Sequence, residues 1–152
     1  RELIQDHAAA IIELVKNAYD AGASQVKISL NSSMKKLVIV DDGEGMDKAD
    51  IDALFHISSS NKVYGSYNEN YKRYTQGSKG LGFLSVFKFG RNVKWETKKD
   101  KGYQFGLNYD DLNSQFDIAE YSIELAEDKN IAKGTKIEIN VSEYNIRSLV
   151  DF

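Results

Sequence analysis

The chain has 152 residues, 41% of them hydrophobic and 28% charged, which suits one globular domain with its own core and is too short for two. A net charge of −3 provides no general attraction for nucleic acid, so non-specific nucleic-acid binding by this segment is disfavoured. The absence of cysteine excludes disulfides and thiolate metal sites, no apolar run is long enough for a membrane span and no signal peptide is visible, so a cytoplasmic protein without membrane contact is expected.

The first predicted element is a helix over about 7–21, with Asp6 as N-cap and Gly22 as its stop. Its apolar residues Ile11, Ile12, Leu14, Val15, Ala18 and Tyr19 point in most directions, which predicts burial. At about 100° per residue, Glu13, Asn17 and Asp20 fall within roughly 60° of one another. A polar stripe on a buried helix needs a partner or a ligand.

Val26, Ile28 and Leu30 alternate with polar residues as in a half-buried strand, and Leu37–Val40 forms a second strand running into Asp41-Asp42-Gly43-Glu44-Gly45-Met46. Asp47 and Asp50 predict a capped helix reaching about His56. Residues 57–80 lack apolar periodicity, and a loop of that length suggests function. It ends in Gly77-Ser78-Lys79-Gly80-Leu81-Gly82, followed by a short buried helix at Phe83–Phe89. Strands are expected at about 91–97, 101–109, 118–126 and 135–141. The sequence ends in a helix-like pattern and starts at Arg1, so a piece of a longer protein is expected. The order of elements predicts an α+β fold rather than a parallel doubly wound sheet.

Three segments carry chemistry. Asp41 stands where a strand meets glycines, and a carboxylate there suits an exocyclic amine such as that of adenine; read alone, the segment is more readily a surface turn, since acidic glycine turns are common. Gly77, Gly80 and Gly82 are neither a dinucleotide fingerprint nor a P-loop. They open a row of backbone N–H groups at a helix start, which suits phosphate with Lys79 adding charge, or they form a plain flexible loop. Glu13 and Asn17 have the spacing of a water-activating base beside an oxygen ligand for Mg²⁺, or of a solvated helix face. His7 and His56 show no metal-binding spacing and are read as structural or surface residues.

The segments E-L-V-K-N-A-Y-D-A-G-A, D-D-G-E-G-M, G-S-K-G-L-G-F and G-T-K-I-E-I occur in a fixed order. This resembles the GHKL ATPases: gyrase B, the ninety-kilodalton heat-shock chaperones, the histidine kinases and MutL, with the MORC proteins nearby. The resemblance covers about residues 8–141. It implies a Bergerat-type two-layer α/β sandwich with a mixed, mostly antiparallel sheet, one ATP-binding domain over 1–152 and an ATP lid over 57–82. By the same resemblance Glu13 is the general base, Asn17 the Mg²⁺ ligand and Asp41 the acceptor for the adenine amino group. Gly43, Gly45 and Met46 form the adenine wall, Thr135 reaches the adenine, and Asp20 orients its neighbours beside Ala21. Lys62 lies on the lid, and Gly77, Ser78, Lys79, Gly80, Leu81 and Gly82 form its phosphate-binding hinge.

The first stretch and Ser58-Ser59-Ser60-Asn61-Lys62 are similar to MutL, whereas the hinge is closer to the chaperones or MORC. The function implied is an Mg²⁺-dependent ATPase acting as a conformational switch, with an ATP-dependent homodimer and the protein's other domains as partners. An isolated fragment is expected to hydrolyse ATP weakly, because related enzymes receive a cationic residue from a following domain. The alternatives are a nucleotide sensor without turnover and a histidine-kinase-type phosphotransfer domain, against which Glu13 argues.

Overall fold

The computed structural model describes residues 2–59, 67–68, 73–74, 79–113 and 123–150. Helix α1 (Glu2–Asp20) buries His7, Ala10, Leu14 and Ala18, a stripe at helical spacing. Its end is fixed by Gly22 at φ 75°, with Gly22 N–H donating to Tyr19 O at 3.0 Å and Ala23 N–H to Ala18 O at 3.0 Å. Asp6 lies inside the helix and is not its N-cap, because Glu-Leu-Ile-Gln before it also favours helix. Nor is α1 buried on most sides: Ile12, Val15 and Tyr19 are exposed.

Strands β1 (Val26–Asn31) and β2 (Lys36–Asp41) form a hairpin, followed by α2 (Lys48–Ser59). Asp47 and Asp50 cap α2 reciprocally, each carboxylate accepting from the other's backbone N–H at 2.8 and 3.0 Å. The pair β3 (Tyr67–Asn68) and β4 (Arg73–Tyr74) makes a small separate ribbon. A 3-10 helix covers Lys79–Lys88, overlapping the stretch where the sequence predicts a short buried helix. Next come β5 (Asn92–Lys98), β6 (Gly102–Asn108), α3 (Tyr109–Asn113), β7 (Ala126–Glu127), β8 (Gly134–Asn140) and α4 (Glu143–Val150).

The main sheet has the order β1-β2-β8-β5-β6-β7. All its ladders are antiparallel among the described residues, so the mixed character expected from the resemblance does not appear there. The expected strand at 118–126 is described only from residue 123, and its paired part is Ala126–Glu127. Residues 57–59 continue α2, and most of the stretch expected to form a lid, 57–82, lies outside the described residues.

Leu37, Ile39, Val93, Trp95, Phe105, Leu107 and Ile139 face inward, alternating along each strand with neighbours that are polar, exposed or only half-buried. They meet Leu14 of α1, Ile51 of α2, Phe83, Val86 and Phe89 of the 3-10 helix and Leu149 of α4 in one core. Trp95 stacks on Phe105 across β5 and β6 with ring centroids 5.3 Å apart, and Phe83 meets Trp95 edge-on at 6.4 Å. The other sheet face carries Lys36, Lys94, Glu138 and Asn140 around an open concavity of about 530 Å³. The fold is therefore α+β: one layer of helices on one face of a six-stranded sheet.

Candidate functional site

The polar stripe of α1 meets the 3-10 helix. A Cβ added at Gly82 would lie 3.3 Å from Glu13 Oε2, 3.5 Å from Asn17 Oδ1 and 3.7 Å from Asn17 Nδ2. A glycine there lets backbone approach both groups. Lys16 is 3.8 Å from Glu13 Oε1 on the more exposed side of the helix. Asp20 and Ala21, one turn on, line a cavity of about 350 Å³ with Gly22, Asp42, Gly43, Glu44 and Lys133.

Asp41 ends β2 on the inward face. It sits opposite Thr135 of β8, which sits opposite Thr97 of β5, so the three side chains form one row across the sheet. Asp41 Oδ1 accepts the Gly43 N–H at 2.9 Å. Burial pushes the Asp41 carboxyl up and the neighbouring Asp42 charge adds to this, while the N–H groups of Gly43 and Thr135 pull it back. Asp42 has a different task. It accepts from Ser24 N–H at 2.8 Å, Ser24 Oγ at 2.5 Å and Gln25 N–H at 2.9 Å, pinning the loop between α1 and β1. The Ser24 hydroxyl and Gln25 N–H hold its carboxyl below the usual range.

The turn after Asp41 is anchored on both sides. Glu44 N–H donates to Ala21 O at 2.8 Å, tying it to the end of α1. Met46 N–H donates to Thr97 Oγ1 at 2.9 Å, tying it to β5. Gly45 has φ 73° and its absent Cβ would fall 2.1 Å from Lys98 O, so no other residue fits that crossing. Gly134 has φ 113°, and a Cβ there would fall 2.1 Å from Asp41 O.

These positions invite comparison with known proteins. The profile of the histidine kinase-, DNA gyrase B- and HSP90-like ATPases matches residues 5–141. The chain belongs to this ATPase family. It is also similar to DNA mismatch repair protein MutL of Clostridium botulinum (strain ATCC 19397 / Type A), 30% identical over 152 residues, which is 99% of this chain and 21% of that protein. MutL of Parabacteroides distasonis is 33% identical over 86 residues, 56% of this chain and 14% of that protein. MutL of Clostridium acetobutylicum is 27% identical over 147 residues, 95% of this chain and 22% of that protein. The chain thus spans about a fifth of the length of the relatives it matches end to end. The resemblance to the GHKL ATPases, MutL among them, is borne out. ATP is the nucleotide that membership in this ATPase family implies.

Within this ATPase-family domain, two groups of predicted residues assemble. Glu13 and Asn17 meet Gly82, and Asp41, Gly43, Gly45, Met46 and Thr135 meet around the end of β2. Lys62, Gly77 and Ser78 lie outside the described residues. Lys79, Gly80 and Leu81 are on the 3-10 helix. His7 is no surface residue: it is fully buried against Phe89, with Ser148 Oγ 3.4 Å from its Nδ1 and no partner for Nε2. Sequence reading misses Thr97, which is fully buried yet polar. A signal exists: in β5 it takes the inward position that Val93 and Trp95 predict for an apolar side chain.

The described residues include no cluster of three or more His, Cys, Asp or Glu side chains able to hold a metal. Asn17 Oδ1 is a hard oxygen donor, and Glu13 Oε2 approaches the same point at Gly82. One such donor fits Mg²⁺, which takes most of its ligands from phosphate and water. Among the described residues no helix is long and apolar enough to cross a membrane.

Proposed function

We propose that the chain is a single ATP-binding domain that binds ATP with Mg²⁺ and hydrolyses it, working in the cytoplasm as a conformational switch within a longer protein. The observation that carries this reading is the convergence of Glu13 and Asn17 on Gly82. The far end of the same helix meets the Asp41 turn through Ala21. Ala21 and Glu13 are separated by about 12 Å along the helix axis, a span that suits the distance from base to terminal phosphate in an extended nucleotide.

In this reading Asp41 accepts a hydrogen bond from the adenine amino group, and Thr135 stands beside it. Gly43, Gly45 and Met46 form the wall, and the hinge glycines offer N–H groups to the phosphates. Asn17 holds the metal, which when bound neutralises phosphate charge. Glu13 accepts the proton of the water that attacks the γ-phosphate in line. Asp20 fixes the geometry at the end of α1. Ordering of the lid segment on ATP then favours homodimerisation or docking of the following domains, and hydrolysis reverses it. The similarity to MutL supports mismatch repair as the setting, with nucleic acid reached by the assembled protein.

Calorimetric titration with ATP and Mg²⁺ tests the pocket. Saturable binding is expected, abolished by Asp41→Asn and made insensitive to Mg²⁺ by Asn17→Ala. Turnover by the full-length protein tests the chemistry. Tight binding without turnover there selects a sensor, and phosphate appearing on a partner histidine selects a phosphotransfer domain.

A further inference from the structure

We infer that Thr97 is the positioning residue of the adenine pocket, fixing the Thr135 hydroxyl and the Met46 backbone from behind. This rests on the ATP-binding reading above and deepens it.

Thr97 Oγ1 is fully buried and has three polar neighbours: Met46 N at 2.9 Å, Thr135 Oγ1 at 2.9 Å and Gly134 O at 3.2 Å. A hydroxyl has one proton to donate and two lone pairs to accept with. Met46 N–H occupies one lone pair. Two arrangements remain for the rest.

In the first, Thr97 donates to Gly134 O and accepts the proton of Thr135. All three contacts are then hydrogen bonds, and Thr135 turns only lone pairs toward the pocket. In the second, Thr97 donates to Thr135, gives up the longer contact with Gly134 O, and leaves the Thr135 proton free to point outward. Adenine offers an amino donor beside a ring-nitrogen acceptor on the edge that Asp41 would meet. The first arrangement keeps all three contacts and is favoured, so with Thr97 behind it Thr135 holds its lone pairs toward the pocket, which suits the adenine amino donor and repels a carbonyl at the same place. Without the Thr97 hydroxyl the Thr135 side chain loses its inner partner, and the part-buried Met46 N–H loses its acceptor.

Both walls of the pocket therefore close on one atom. The row Asp41–Thr135–Thr97 makes the arrangement rigid, because its members sit on neighbouring strands of one sheet.

The test compares binding of ATP and ITP, whose base has a carbonyl and a ring N–H where adenine has an amino group and a bare nitrogen. Thr97→Val keeps the shape and removes the hydroxyl. It is expected to lower the ratio of ATP to ITP affinity by roughly tenfold, with Thr97→Ser restoring it. Thr135→Val added to Thr97→Val is expected to lower the ratio little further, because the two hydroxyls act as one unit. A purely structural Thr97 weakens both nucleotides alike and leaves the ratio unchanged, which overturns the inference. Should Thr97→Val not fold, Thr97→Ala carries the same comparison: a lowered ratio of ATP to ITP affinity is expected, and an unchanged ratio in a protein that binds ATP overturns the inference. No ATP binding by the wild type, or binding indifferent to Asp41→Asn, removes the ATP reading itself. That result differs from Asp41-dependent binding with an unchanged ratio.

Discussion

Gly82 stands directly over Glu13, close enough that a methyl group added there would lie 3.3 Å from the carboxylate oxygen. The segment that ends the glycine-rich stretch and the carboxylate of the first helix thus share one small space. Gly82→Ala crowds only the far ends of two side chains, since its other close neighbours are the Asn17 amide atoms at 3.5 and 3.7 Å. The fold is expected to survive, with a Tm within about 3 °C of wild type. ATP turnover by the full-length protein is expected to fall about tenfold or more, because the Glu13 carboxylate must shift by tenths of an ångström while Asn17 stays in ordinary contact. Unchanged turnover in a well-folded Gly82→Ala variant removes Gly82 from the site.

Glu13→Gln keeps the size and the hydrogen-bonding reach of the side chain and removes its basicity. ATP affinity is expected to stay within about threefold of wild type, while turnover drops by about 10²–10⁴-fold. Single-turnover kinetics beside equilibrium binding separates the two. A loss of affinity equal to the loss of rate assigns Glu13 to binding and not to proton transfer.

His7 gives the fold a pH dependence. Burial pushes its imidazole down, and the Asn145 side chain, the Asp6 charge and the Lys88 backbone only partly oppose this. The folded protein holds the ring neutral, whereas the unfolded chain takes up a proton below about pH 6.5. Stability is therefore complete above that value and falls as pH drops toward the lowered folded value. Asp42, Asp47 and Glu143 have carboxyls held below their usual range and lose their contribution only at lower pH. Denaturant midpoints are expected to decline in wild type as pH falls from about 7.5 to 5, and to flatten in His7→Gln. Equal slopes in both proteins exclude His7 as the source.

Gly45→Ala and Gly22→Ala separate strain from collision. Both glycines have positive φ, but a Cβ at Gly22 meets nothing within 4 Å, whereas one at Gly45 meets Lys98 O at 2.1 Å. Gly22→Ala is expected to cost about 1–2 kcal/mol, the left-handed penalty alone. Gly45→Ala is expected to exceed about 3 kcal/mol, because the backbone of the turn or of β5 has to move. Urea denaturation of the two variants measures the difference, and equal costs would show that the turn yields easily.

Periodicity reveals α1, the β1–β2 hairpin, α2 and most of the later strands, because their inward residues repeat at the helical or strand period. The motifs are visible because each combines glycine with a carboxylate or amide at a telling place. What one sequence does not display is adjacency between distant strands. Asp41 and Thr135 are neighbours only because β8 inserts between β2 and β5. Two adjacent aspartates look equivalent in sequence, yet Asp41 turns inward and Asp42 ties down Ser24. Thr97 escapes a reading of the sequence because its partners lie on other segments, at Met46, Gly134 and Thr135. Apolar residues surround helix α1 and predict burial on most sides, but packing covers only the stripe that faces the sheet.

The place of β8 in the sheet also sets the order in which this protein can be made. Glu13 emerges from the ribosome well before Thr135. Until β8 has been synthesised, β2 and β5 have no shared neighbour, and the first hairpin and the later strands remain two separate, unfinished edges. Co-translational folding therefore cannot deliver a working pocket in stages; ribosome-bound chains halted before Gly134 have the early motifs in full but no sheet to hold them together.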